Sequence, residues 1–172
     1  MIKINRLTNA NVYIDNGNFL GQIEEITLPQ VKVLMVDHPA LGLFGKGEYP
    51  AGFDKIEASM KWASFYPEGV LKYADVMKVH SFQIRGNVET YQAGDKIAEI
   101  AVIIHLRAMF KEFPLGKFKK NDNTEFSTTL TCFSFKVIYA GVELVEYDLE
   151  ANIYKVGGID KLAQYRANLG II

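Results

Sequence analysis

"EIAVIIHLRAMFKEF", residues 99–113, places Ile100, Val102, Ile104, Leu106, Ala108 and Phe110 at even positions, while the odd positions carry Glu99, His105, Arg107 and Lys111. Alternation with period two predicts one β-strand with an apolar and a polar face. Read from Ile97 to Phe113, that strand would span about 55 Å at roughly 3.3 Å per residue, well beyond the usual five or six residues. The core of a 172-residue chain does not need a strand of that length. Something other than the chain's own interior must therefore face the histidine, arginine and lysine.

The length fits one domain that buries roughly 70% of its extended surface, so folding requires no staples. The 19 Lys and Arg nearly cancel the 20 Asp and Glu, which argues against a nucleic-acid surface with its usual basic excess. Cys132 is the single cysteine, which excludes an internal disulfide and fits a reducing compartment. The start "MIKINRLTNANVYIDNG" lacks the apolar run of a signal peptide, and no stretch of 18 uncharged apolar residues occurs. The expectation is a soluble chain without a secretion signal.

Around the opening stretch, Val12 and Ile14 before "DNGN" predict a short strand and a tight turn with Gly17 at positive φ. Residues 22–36 read as one long strand whose phase flips near Pro29, from Ile26 and Leu28 to Val31, Val33 and Met35. "DHPALGLFGKGEYPAG", 37–52, with four glycines and two prolines, reads as irregular. From 53 to 65, Ile56, Ala58, Met60 and Trp62 alternate with Lys55, Glu57, Ser59 and Lys61. "YPEGVLKYADVM", 66–77, predicts a short helix burying Val70, Tyr73, Ala74 and Met77.

A strand over 78–91 turns at "QAGDK" into the opening stretch, and 125–139 forms another long strand, whose apolar phase slips between Cys132 and Phe133. "AG" at 140–141 closes a hairpin onto 142–148. The tail 157–170 spaces Ile159, Leu162, Tyr165 and Leu169 as a helix that stops at Gly170. The fold class that follows is mainly β, a single antiparallel sandwich or barrel with two long hairpins and two short helices.

Motifs for chemistry are absent. His38, His80 and His105 have no partners at metal-ligand spacing, so no metal is expected. Cys132 between Thr131 and Phe133 reads as a buried thiol rather than a nucleophile. "GLFGKG", 42–47, lacks the ending of a phosphate loop, and Glu24 and Glu25 project to opposite faces of a strand. The reading is of a chain with no catalytic residue and no cofactor. The long strands leave two architectures open: an ordinary sandwich with one solvated face, or a sheet completed by neighbouring subunits into a larger barrel. In the second, the odd face of 99–111 and the Lys55, Glu57, Ser59, Lys61 face line a hydrated lumen.

Three segments, "LTNANVYIDNGNFLGQIEEITLPQV" (7–31), "KIEASMKW" (55–62) and "VELVEYDLEANIYKVGGIDKLAQYRANLG" (142–170), resemble the major tail tube proteins of contractile-tailed bacteriophages and the inner tube of R-type bacteriocins. The resemblance runs in order from about residue 7 to the C-terminus. It implies a homohexameric ring in which each subunit gives four strands to a continuous inner β-barrel, with rings stacked into a tube inside a contractile sheath. The partners implied are further copies of the chain, the tail sheath, baseplate and tail terminator proteins, a tape measure protein in the lumen, and DNA in transit if the particle is a phage. The location implied is a virion tail or phage-tail-like particle built from protein made in the bacterial cytoplasm. Lys55, Glu57, Ser59, Lys61, Glu99, His105, Arg107 and Lys111 would then face the lumen. Glu125 would join them, giving a bore of mixed charge. The alternative from another class is a monomeric β-barrel that binds a small ligand.

Within the tube reading, residues 38–52 join the strands of the first long hairpin and protrude from one rim. Leu41, Leu43 and Phe44 at the tip are expected to contact the adjacent ring, because an isolated subunit would favour polar side chains there.

Overall fold

The computed structural model describes residues 2–123 and 126–171. Glu125, one of the residues expected on the polar face, lies outside them. The strands are β1 (Lys3–Ile14), β2 (Gly17–Asn18), β3 (Ile23–Thr27), β4 (Val33–His38), β5 (Gly47–Phe53), β6 (Glu57–Trp62), β7 (Val79–Gln92), β8 (Asp95–Phe110), β9 (Phe126–Tyr139), β10 (Val142–Asp148), β11 (Ile153–Val156) and β12 (Ile159–Asp160). Two helices, α1 (Pro67–Tyr73) and α2 (Ala163–Asn168), complete the fold. All strand pairings are antiparallel. They form a ten-stranded sheet running β12-β11-β10-β9-β8-β7-β1-β2, with β6 on β9 and β3 on β6, and a separate ribbon of β4 and β5.

The centre of the sheet is β9. Its first half pairs with β6 from Trp62↔Phe126 to Glu57↔Thr131, and its second half pairs along the same edge with β10. The partner changes at Phe133, where the register against β8 also shifts, with Arg107 opposite Ser134 but Ala108 opposite Cys132. One extra residue is a β-bulge, and it rotates every later side chain to the other face. That is the phase slip visible in the sequence between Cys132 and Phe133.

Inside the curled sheet, Ile14, Met60, Trp62, Phe82, Leu106, Phe110 and Leu130 are buried. Each such side chain contributes about 1.5–3 kcal/mol by leaving water. Pro67 opens α1 and Glu68 lies in its first turn, as helix starts favour. The helix lays Tyr73 against Trp62 at 5.4 Å between ring centroids. Trp62 donates its indole N–H to Thr128 Oγ1 at 3.2 Å, so the polar atom of the largest core side chain is satisfied.

Several expectations need correction. Residues 22–36 are two strands in two sheets rather than one bent strand, because the chain leaves the sandwich after β3 and re-pairs in the ribbon. Residues 37–52 are not irregular throughout: β5 forms despite Pro50, since both strands of a two-stranded ribbon are edges and proline is tolerated there. Strand β1 is 12 residues long rather than a short piece at its end. Asp15 (φ 48°) and Asn16 (φ 68°), not Gly17, hold the left-handed positions of the β1–β2 turn. The first helix stops before Met77, which is exposed, and β8 stops at Phe110. The tail is helical only over α2, because Gly157 and Gly158 at positive φ turn the chain from β11 into β12. Gly170 at φ 68° does end that helix.

Candidate functional site: a polar sheet face and an apolar ribbon tip

The sheet's outer face is built by cross-strand rungs. One rung runs Tyr13, Gln83, His105, Lys136, Glu146 and Lys155 through β1, β7, β8, β9, β10 and β11. The next runs Ser81, Arg107, Ser134 and Asp148. Below them β6 presents Glu57 and Ser59 beside Thr131 and Thr129. The odd residues of the opening stretch and the polar residues of 55–61 therefore share one face, as the alternation requires. Lys55 precedes β6 and Lys111 follows β8, and both reach the face by pairing with Glu57.

Charge on this face is locally cancelled. Lys61 pairs with Glu24 at 3.1 Å, and Lys96 bridges Glu89 and Glu99, which face each other across β7 and β8. Arg107 lies between Asp148 and Glu150, and Lys136 between Glu143 and Glu146. Hydrogen bonds from Lys111 and then Lys55 hold the Glu57 carboxyl below its ordinary range. Lys155 and then Lys136 do the same for Glu146. Arg85, exposed on the same face, has no ion pair among the described residues. Among the described residues no group of three His, Cys, Asp or Glu is placed to hold a metal ion. Cys132 is buried, and desolvation aided by Glu57 pushes its thiol up to about 12, so it stays protonated.

The ribbon leaves the sandwich at Asp54, whose N–H donates to the Lys32 carbonyl at 2.9 Å, and reaches its turn after His38. Leu41 and Phe44 at the tip are fully solvated and Leu43 is more than half exposed. Gly42 at φ 87° lets the chain reverse there. Leu41, Leu43 and Phe44, expected at the tip of a loop, lie at the end of a paired ribbon of β4 and β5.

A feature the sequence reading missed is the far half of the β1–β7–β8 sheet. Residues 3–10 are exposed and, among the described residues, pair only with β7, leaving their outer edge without a strand partner there. Leu7 on that arm is exposed, and Ile100, Val102 and Ile104 of β8 continue the apolar face toward the core only partly buried, with Ile23 and Ile26 of β3 beside the cleft that Val102 and Ile104 share with Leu7. Gly86 sits beneath them: a Cβ there would meet Leu7 Cδ1 and Val102 Cγ1 at 2.8 Å. The signal was present but broken in phase: Leu7 is odd while Ala10, Val12 and Ile14 are even, because the register against β7 shifts between Leu7 and Asn9.

At the opposite end of β1, Asp15 accepts hydrogen bonds from Lys72 Nζ at 2.9 Å and the Ser81 amide at 3.0 Å, and its carboxylate lies 2.6 Å from Nδ1 of buried His80. Burial opposes its ionisation, yet the bonds from His80, Lys72 and Ser81 together outweigh that and hold the carboxyl well below the usual range. The cluster ties α1 to the sheet.

Comparison with known proteins bears on these surfaces. The model of the family "Phage tail tube protein FII" matches residues 4–170. The tail tube protein of Escherichia phage P2 is 30% identical over 169 residues, covering 96% of this chain and 97% of that protein. The major tail tube protein of Serratia phage KSP20 is 27% identical over 155 residues, covering 89% and 88%. A chain of the extended-state sheath–tube complex of the extracellular contractile injection system PVC aligns with TM-score 0.53 over 76% of this chain and 86% of that chain at 11% identity, a likeness of fold. The long antiparallel strands and the family match, running from Ile4 to Gly170, agree: the chain belongs to the phage tail tube protein FII family.

Proposed function

We propose that the chain is the repeating structural subunit of the inner tube of a contractile tail or tail-like particle. Six copies close a ring whose inner barrel is lined by the polar sheet face, and rings stack into a tube with a central channel for DNA or ions. The observation that carries this reading is the arm of β1, β7 and β8: residues 3–10 pair with β7 and with no other strand among the described residues, Leu7 is exposed, and Ile100, Val102 and Ile104 stay only half-buried, as in a sheet completed by neighbours. Lys55, Glu57, Ser59, Lys61, Glu99, His105, Arg107 and Lys111 then face the lumen, and Leu41, Leu43 and Phe44 contact the next ring. The whole chain acts as one tail-tube domain, with residues 38–52 as its inter-ring element.

Partners follow from that place: a sheath protein outside, terminator and baseplate proteins at the ends, and a tape measure protein in the lumen, with DNA passing transiently in a phage. The particle is the chain's final location, reached after synthesis in the bacterial cytoplasm. The role requires no catalysis. Cancelled charge on the lumen face suits passage, because rows of free cations would bind a polyanion and hold it.

Electron microscopy of the purified protein in negative stain over a range of concentrations tests the reading. Hexameric rings and tubes are the expected result. A monomer at all concentrations, with a small molecule bound in a pocket, would replace it by the ligand-binding barrel.

A further inference from the structure

The apolar tip has a counterpart on the same chain. A groove of about 700 Å³ lies at the base of the ribbon, lined by Val33, Pro50, Phe53, Tyr154, Leu162 and Tyr165. Its floor is ordered by Phe53, which packs edge-on against Tyr147 at 5.4 Å and Tyr154 at 5.1 Å. Asp148 and Asn152 add polar groups to its wall. The tip presents three exposed apolar side chains followed by Lys46, which has no ion pair among the described residues.

Tip and groove lie at opposite ends of the ribbon. Gly47, Glu48 and Tyr49 of β5 separate the tip from the groove's near edge at Pro50, and its floor at Phe53 lies about 20 Å beyond Gly47 at 3.3 Å per residue. The paired ribbon cannot fold its own tip back into its own base, so the two surfaces can meet only between copies. A contact between two different patches of identical chains is heterologous: it does not close in a pair but propagates from copy to copy. Charge is compatible with this, since Lys46 follows the apolar knob and the groove wall carries Asp148, whose carboxylate is held only loosely by Arg107 at 3.7 Å.

We propose that the groove is the receptor for the ribbon tip of a second copy in the adjacent ring, with Leu43 and Phe44 seated against Phe53, Leu162 and Tyr165. The proposal rests on the tube reading and adds the surface that the tip engages.

Cysteine pairing tests it on assembled tubes of the full chain. In a Cys132→Ser background, which removes the native thiol, Leu43→Cys is combined in turn with Ala51→Cys, Leu162→Cys or Tyr165→Cys. A disulfide needs Cα atoms within about 7 Å, so three groove positions sample the cleft. The expected result is a ladder of covalent oligomers extending past the hexamer for at least one pair, with none from any single variant. Tubes that give no ladder from any pair would overturn the groove as receptor while leaving the tube reading in place. A ladder that ends at the hexamer would seat the tip in a lateral neighbour and overturn the inter-ring assignment. Dimers from Leu43→Cys alone would mean that tips meet tips. Failure of the Cys132→Ser chain and the native chain alike to form rings or tubes would remove the tube reading itself.

Discussion

Lys136 Nζ lies 2.9 Å from Glu146 Oε1 across β9 and β10, and Lys155 reaches the other oxygen of the same carboxylate from β11 at 2.6 Å. One carboxylate thus serves two cations on the strands either side of β10, and the hydrogen bond that Lys136 donates to Glu146 raises the Lys136 ammonium above its ordinary range. Directly opposed unlike charges of this kind stabilise a sheet pair by a few tenths to about 1 kcal/mol. The arrangement also makes the polar face nearly neutral from rung to rung, so its sign cannot be read by counting lysines along one strand.

Arg107 tests whether this face is hydrated. Its guanidinium is about half exposed and stands 3.7 Å from both Asp148 and Glu150, too long for strong hydrogen bonds. Arg107→Glu replaces weak attraction with weak repulsion and should cost no more than about 1 kcal/mol in urea unfolding. A loss of several kcal/mol would place Arg107 in a buried network.

The tip should tolerate charge in the isolated chain. Because Leu43 and Phe44 are exposed in the subunit, Leu43→Asp with Phe44→Asp should leave the melting temperature within about 2 °C of wild type. In assembly the same change places carboxylates in an apolar contact at a heavy desolvation cost, so rings should form without stacking. Tubes of normal length by electron microscopy would refute the inter-ring role.

Asp15 gives the fold an acid limit. Its folded-state pKa is depressed, so the stability it contributes is complete above the unfolded carboxylate value of about 4 and is lost as pH falls from there toward the folded value. Asp15→Asn should lower stability at pH 7 by about 1–3 kcal/mol, since it weakens the acceptor of three donors. The variant should also flatten the dependence of unfolding free energy on pH between 5 and 2. Parallel curves for the two proteins would assign the acid sensitivity elsewhere.

Gly69 should invert the usual helix rule. Alanine within a helix is ordinarily favoured over glycine by about 1 kcal/mol. Here the added Cβ would lie 2.6 Å from Trp62 Cζ3, and that indole is fixed between Phe19, Tyr73 and Phe126. Gly69→Ala should therefore destabilise by about 1–3 kcal/mol through overpacking. A melting temperature at or above that of wild type would mean the indole has room to move.

What the sequence determined by itself is what period two can carry. The alternation of 99–110 assigned the apolar and polar faces of β8, and that of 56–62 did so for β6, because side chains leave a strand on alternate sides whatever its partners. The slip at Phe133 was equally legible, since one inserted residue inverts the pattern that follows it. The resemblance of 7–31, 55–62 and 142–170 to tail tube proteins added the family. Pairing was not written locally. Nothing in residues 22–36 states that β3 joins β6 while β4 turns away to β5, because the choice depends on which distant edges are free once the sheet has curled. The same holds for Pro50, acceptable only because its strand lies in a two-stranded ribbon, and for Asp15, whose donors come from residues 57 to 66 positions away. The juxtaposition of tip and groove at the two ends of one ribbon is a property of that tertiary arrangement, since Phe44 and Tyr165 meet in no local pattern and are related only through how the strands between them are laid out.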